Sequence, residues 1–414
     1  MERLSALEIT FQILAQLSPV WIALGLILFL SFFFRRQLGL YGQILEHPLG
    51  LIGVVIVMFW ILVAIFADLI VTHDYLAQIS GMKNKGPGWP MPEDVLEAAK
   101  VAGKEVGSHY LLGGDNLARD IFSRVVKGSQ IVLIIAPLAT MFAFMVGITL
   151  GLPAGFYMGR FDTILSFVAN LVLAFPVILL FYLLVTKDIV ETGIPMMLAG
   201  FLFLFPIIFF CILMYTKYKM RPEILIPSFI VILVVGFWLY LTAVVTPLTS
   251  PESATGIAWN GFSNIVDYIR LFDMNSNMLN IFVSVVFVNS PTVFRIVRGL
   301  VIDIKTRDYV AAAQTRGESP WYIMLWEILP NTRGPLIVDF CLRIGYTTIL
   351  LGTLGFFGLG FSPESPDWGN TINEGRKLLL IYGHAALPPA IALMSLVLGL
   401  NFLADGLREE SLKD

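Results

Sequence analysis

About nine apolar runs, each close to the ~20 residues that a helix needs to cross a bilayer, divide this chain of 414 residues. They lie near Phe11–Phe34, Leu49–Val71, Ser129–Leu152, Thr163–Val185, Ile194–Tyr215, Ile224–Val245, Met278–Val297, Pro335–Phe361 and Ala385–Ala404. Lipid offers no partner to a backbone N–H or C=O, so runs of this kind fold as helices that satisfy themselves. The pattern predicts an all-α, polytopic membrane protein with membrane lipid around it. Composition agrees, because charged residues make up only 14%, where soluble domains carry about 25%. A net charge of −3 gives no reason to expect nucleic acid as a partner. Cys211 and Cys341 sit inside apolar runs and read as small packing residues, and the four histidines fall at no ligand spacing, so no metal site is expected.

One polar island breaks this apolar text near its C-terminal end. It runs Asp308-Tyr309-Val310-Ala311-Ala312-Ala313-Gln314-Thr315-Arg316-Gly317, and an apolar stretch then reaches Glu327-Ile328-Leu329-Pro330-Asn331. Such an island cannot lie in hydrocarbon. With the island placed in the cytoplasm, the same side gathers Arg35, Arg36, Arg160, Lys217, Lys219, Arg221, Arg295 and Arg298. The short segments opposite hold only Arg3, Lys187, Arg270, Arg376 and Lys377. Lysine and arginine favour cytoplasmic loops, so the N-terminus is expected outside and the C-terminus inside. The first run ends in Phe34-Arg35-Arg36 without a small-residue cleavage site and reads as a retained helix, not a signal peptide. The loop Thr72–Tyr110 carries a breaker cluster at Lys85–Pro92 and a helix-like stretch at Glu93–Val106. A second polar loop, Thr246–Asn277, places Trp259, Phe262, Tyr268 and Phe272 at an interface with lipid or at a docking surface.

Several separated segments resemble the binding-protein-dependent ABC importer permeases of the dipeptide, oligopeptide and nickel branch, in particular the second permease subunit of such systems. Leu112–Arg124 contains Leu-Gly-Gly-Asp, then Arg119-Asp120 and Ser123-Arg124. Gly155–Asp162 is followed by Phe175-Pro176. The polar island is similar to the family's coupling segment. Gly358-Leu359-Gly360, Pro366, Trp368-Gly369-Asn370 and Asn373–Arg376 match its Gly-Leu-Gly…Trp-Gly block, and Asn401–Arg408 its ending. The resemblance implies a type I importer transmembrane domain at 41–414. Its core would be 112–185 and 278–408, with an inserted hairpin and a periplasmic loop at 186–277 and an extra membrane helix at 1–40. It implies a second homologous permease subunit, two ATPase subunits and a periplasmic or lipid-anchored binding protein. ATP and Mg would be held by the ATPases, with no cofactor on this chain. The place implied is a bacterial inner membrane. The family usually has Glu where this chain has Ala311, and often His where it has Glu327, so the ATPase interface would be altered in charge.

The site residues follow from that resemblance and from local chemistry. Arg307, Asp308, Tyr309, Ala311, Ala312, Ala313, Arg316, Gly317, Glu318, Glu327 and Pro330 would contact or shape the contact with the ATPases. Within the segment, the alanines permit close packing, Gly317 permits a turn with positive φ, Pro320 suits a helix start, and Pro330 ends the segment. For a translocation path or gate the candidates are Asp339, Arg343, Gly355, Gly358, Gly360, Trp368 and Arg376. Asp339 and Arg343 stand four apart on one helix face and serve either as a structural pair or in the path. Trp368 either meets substrate or anchors at the interface. No phosphate-binding glycine loop, H-E-x-x-H or G-x-S-x-G run occurs, which speaks against hydrolytic chemistry on this chain. Rival readings are a nickel or small-solute permease of the same branch, and an ion-driven carrier or channel acting alone.

Overall fold

The structure, a computed structural model, describes residues 2–101, 103, 106–249, 276–359, 361–362 and 364–411. Gly360 and the aromatic residues Trp259, Phe262, Tyr268 and Phe272 lie outside the described residues. In chain order come α1 (Ala6–Gln16), α2 (Ser18–Phe33), α3 (Leu40–Ile44), α4 (Pro48–Ile65), α5 (Ala67–Ile70), β1 (Trp89–Pro90), α6 (Glu93–Val101), β2 (His109–Tyr110) and α7 (Ile121–Tyr157). Then follow α8 (Gly159–Ala174), α9 (Val177–Val185), α10 (Lys187–Glu191), α11 (Ile194–Leu202), α12 (Leu204–Tyr218), α13 (Pro222–Thr249), α14 (Ser276–Ile304), α15 (Asp308–Thr315) and α16 (Pro320–Tyr322). A π-helical turn (Ile323–Ile328) and a 3-10 turn (Leu329–Thr332) lead into α17 (Arg333–Phe356), α18 (Trp368–Arg376) and α19 (Leu387–Ser411).

Among the described residues seven helical stretches are long and apolar enough to cross a membrane, or up to nine if each of two bent pairs is one span. The bends correct two expected spans. Phe11–Phe34 is α1 and α2 meeting at 58°, with Pro19 in the first turn of α2. Thr163–Val185 is α8 and α9 meeting at 86°. The cause is Pro176, which pushes Phe175 into extended backbone and cannot donate to the preceding turn. The fold also holds one short antiparallel ladder, Trp89–Pro90 against His109–Tyr110, which an all-α reading omits.

The chain forms two compact units, residues Met1–Pro137 with Cys341–Asp414, and Leu138–Phe340. In the first, α4 and α19 run antiparallel and approach closely. Gly50 faces Gly406, Gly53 faces Leu403, and Ile56 faces Gly399. Trp60 Nε1 donates to Ser395 Oγ at 2.9 Å further along the same seam, and His47 meets Glu409 and Glu410 at its other end. α1 is tied to the loop that follows α5. Leu4 N donates to the Gly88 carbonyl, and Gln16 Nε2 donates to the Ile70 carbonyl at 2.7 Å.

In the second unit, α7 and α14 run parallel. Gly147, Gly151 and Gly155 lie at four-residue spacing against Val293, Val297 and Val301, so the backbones approach where no Cβ intervenes. Val297 and Val301 continue into a core with Leu152, Val310, Ala313, Met324 and Ile328. Arg298 of α14 grips Asp162 of α8 with two nitrogens, and Ser166 Oγ donates to the same carboxylate at 3.1 Å. α11 and α12 pack inward through Ala199, Leu202, Phe203 and Phe205, whereas no residue of the Pro222–Leu241 stretch of α13 is buried.

Candidate functional site

The polar island folds as a short amphipathic helix presented on the second unit. α15 turns Val310 and Ala313 fully inward. Arg307, Asp308, Tyr309, Ala311, Ala312 and Arg316 face outward. Ala313 is therefore core, which removes it from the expected contact surface; three residues beyond Val310, it shares the buried stripe. Asp308 stands in the first turn, where a carboxylate suits the helix dipole. The far end is closed by a Schellman turn: Gly317 N donates to the Gln314 carbonyl and Glu318 N to the Ala313 carbonyl. Gly317 has φ of +78°, with open space where a Cβ would stand. Ser319 caps the next helix by accepting from Tyr322 N, with Pro320 in its first turn.

Glu327 reaches back to this helix, accepting a hydrogen bond from Arg316 Nη2 at 2.7 Å. The Glu327 carboxylate is thus matched by Arg316 of the same chain. Burial raises the Tyr309 hydroxyl pKa above its usual range, and Glu327 adds to the shift while Arg307 opposes it. Pro330 does not end the segment as expected. Helical backbone passes it by widening to a π turn and tightening to a 3-10 turn, which accommodate the missing N–H. Asp339 and Arg343 both lie on α17, half-buried and buried respectively.

The remaining gate candidates belong to the first unit, where they pack the fold. Gly355 is covered by α18, since a Cβ there would meet Asp367, Asn370 N and Gly369. Gly369 in turn lies on the Gly352 carbonyl. Gly355 and Gly369 let α18 lie against α17, while Gly352 faces Leu393 of α19. Gly358, at φ +71°, closes α17 in a second Schellman turn. Trp368 is 0% exposed, its Nε1 donates to the Val125 carbonyl at 2.9 Å, and its ring meets Trp60 edge-on. The indole is enclosed by the fold on every side in this structure. Arg376 is exposed, lies over the Phe356 ring, and donates to Asn373 Oδ1 at 3.0 Å. A cavity of about 240 Å³ opens beside these residues, between Gly355, Gly358, Asn370, Asn373, Glu374 and Lys377.

Around α18 lies a buried charged cluster to which no role was assigned from sequence. Arg119 donates from Nε to Asp115 Oδ2 at 2.7 Å and pairs through Nη2 with Glu374. Arg124 Nη2 lies 3.7 Å from Glu374 and donates to the Ser365 carbonyl at 2.9 Å. Asp120 caps α7 by accepting from Ser123 N and Oγ, and Thr72 donates to it at 3.2 Å. Burial pushes the Asp367 carboxyl up to about 7, opposed by the Asn370 N–H and by Arg124. Burial also raises Glu374, against the pull of Arg119 and Arg124. The motif Asp115…Arg119-Asp120…Ser123-Arg124 was visible in sequence, but its partner Glu374 stands 255 residues away.

Comparison with known proteins fits this arrangement. Residues 224–409 match the family described as binding-protein-dependent transport system inner membrane component. Residues 42–87 match the N-terminal TM domain of oligopeptide transport permease C. The first match includes α15 and the turns after it, and begins within the stretch read as inserted. A glutathione transport system permease protein of Pectobacterium atrosepticum is 28% identical over 302 residues, covering 73% of this chain and 72% of the relative. A dipeptide transport system permease protein of Alkalihalophilus pseudofirmus is 25% identical over 369 residues, covering 89% and 87%. A glutathione transport system permease protein of Escherichia coli is 37% identical over 136 residues, 33% of this chain and 45% of that protein. The two matched regions cover more than half of the sequence, and with these relatives they place the chain among the inner-membrane permease components of binding-protein-dependent ABC importers, in the oligopeptide branch.

Proposed function

We propose that this chain is one permease subunit of an ATP-driven importer of di- and oligopeptides. It pairs with a second, homologous permease, and the passage forms between them. Two cytoplasmic ATPase subunits hold ATP and Mg and hydrolyse the nucleotide. A periplasmic or lipid-anchored protein delivers the peptide. The N-terminus faces outside and the C-terminus the cytoplasm. The observation that carries this reading is α15, a polar helix seated on the core by Val310 and Ala313 that offers Arg307, Asp308, Tyr309, Ala311 and Ala312 to a partner. When the ATPases close on nucleotide, α15 moves with them, and its buried stripe passes that motion to α7 and α14. Nucleotide and peptide then bias the same two global states. The relatives' names, which give dipeptide and glutathione as their cargo, support a peptide as cargo here.

Reconstitution of the whole complex in liposomes tests the proposal. ATP-dependent uptake of labelled dipeptide, competed by unlabelled peptides and not by nickel, is expected. Uptake without ATP, or of metal alone, contradicts it.

A further inference from the structure

The hairpin of α12 and α13 ends in a basic tip that touches the segment leading from α15 into α17. Only Lys219, Met220 and Arg221 separate the two helices. Lys217, Lys219 and Arg221 are all exposed, and none is ion-paired with a carboxylate among the described residues. Glu223 is the one acidic residue in the tip sequence. The tip is held in place by Trp326, whose Nε1 donates to Thr216 Oγ1 at 3.1 Å. The Lys217 ammonium lies 5.6 Å from the Trp326 ring and 5.4 Å from Tyr218, and Lys219 lies 5.9 Å from Tyr215. Trp326 is next in sequence to Glu327, the partner of Arg316 at the end of α15.

We infer that this tip is a binding site for the headgroup of an anionic phospholipid, placed against the coupling segment through Trp326. The depth of the tip favours lipid over a cytoplasmic protein. Both arms are apolar up to their ends, and a link so short cannot rise beyond the headgroup layer, which is roughly 5–7 Å thick on each face. Tyrosines and a tryptophan interleaved with lysines at the end of an apolar helix suit that layer. Three unpaired cations there attract phosphate electrostatically. The inference extends the function proposed above, but its test uses no transport, so either can fail alone.

The test is fluorescence quenching of the full chain in nanodiscs, with Trp326 emission taken as the difference from a Trp326→Phe variant. Phosphatidylglycerol and phosphatidylcholine, each nitroxide-labelled near the headgroup, are compared at equal mole fraction. The expected result is about twofold or more stronger quenching by phosphatidylglycerol, weakened by salt. That preference should vanish in a Lys217→Gln, Lys219→Gln, Arg221→Gln variant whose circular dichroism is unchanged. Equal quenching by the two lipids, or a preference that survives the triple change, overturns the site. Loss of co-purifying ATPase from the triple variant, with no lipid preference in the parent, would assign the tip to protein docking instead.

Discussion

Gly317 shows how one backbone angle closes the polar helix α15. Its φ of +78° closes α15, and a β-branched residue there is strained by about 1–2 kcal/mol even though its Cβ meets no atom. Gly317→Val is therefore expected to leave membrane insertion intact and to reduce ATPase retention and uptake severalfold. Gly317→Asn, which tolerates positive φ, is expected to keep most of both. Affinity purification with a substrate-uptake assay separates the two variants. Trp368 works by packing: Trp368→Ala is expected to cost about 3–5 kcal/mol, visible as a large fall in melting temperature. Asp367 adds a pH dependence whose sign can be worked out. Burial lifts its folded-state pKa to about 7, well above the ordinary carboxylate range, so the folded state favours the protonated carboxyl. The penalty for the charged form is complete above about 7 and disappears as pH falls toward 4. Stability should rise on acidification across that window by at most about 1.4 kcal/mol per pH unit. Thermal melts from pH 8 to 5 should show this rise in the parent and a flatter profile in Asp367→Asn.

Elements were legible from sequence where one rule decided them. The apolar runs gave the helices, because length and lack of charge suffice for a membrane segment. The polar helix α15 was legible because charge isolates it, and Gly317 and Pro320 then fixed its end and its successor. The bend at Phe175-Pro176 was missed although Pro176 was in plain view, since hydropathy continues across it unbroken. Trp368 was misplaced for a different reason. A tryptophan among Pro, Asp, Gly and Asn reads as interfacial, and its burial depends on Gly128, Val125 and Trp60, all far away in sequence. The Arg119–Glu374 pair is hidden by the same distance. At the level of the hairpin, the Pro222–Leu241 stretch of α13 has no buried residue and α12 packs only one face, which suits helices at a lipid boundary. A Lys219→Cys change in a Cys211→Ser, Cys341→Ser background should resist membrane-impermeant thiol reagents in intact cells and react after permeabilisation. Labelling from outside would reverse the assigned sidedness.

For the whole molecule, we propose that partner ATPases drive this permease through the exposed face of α15. Neighbouring residues on that helix give an internal control, because Ala312 faces outward while Ala313 is fully buried. The most direct measurement is cross-linking in the complex purified on this chain. Ala312→Cys and Ala313→Cys are compared in the cysteine-free background with a short thiol-to-amine reagent. Ala312→Cys is expected to join the chain to a nucleotide-binding subunit, with a yield that changes when ATP is added, and Ala313→Cys is not. No cross-link from position 312 in a complex that hydrolyses ATP, or equal cross-linking from both positions, would contradict the proposal.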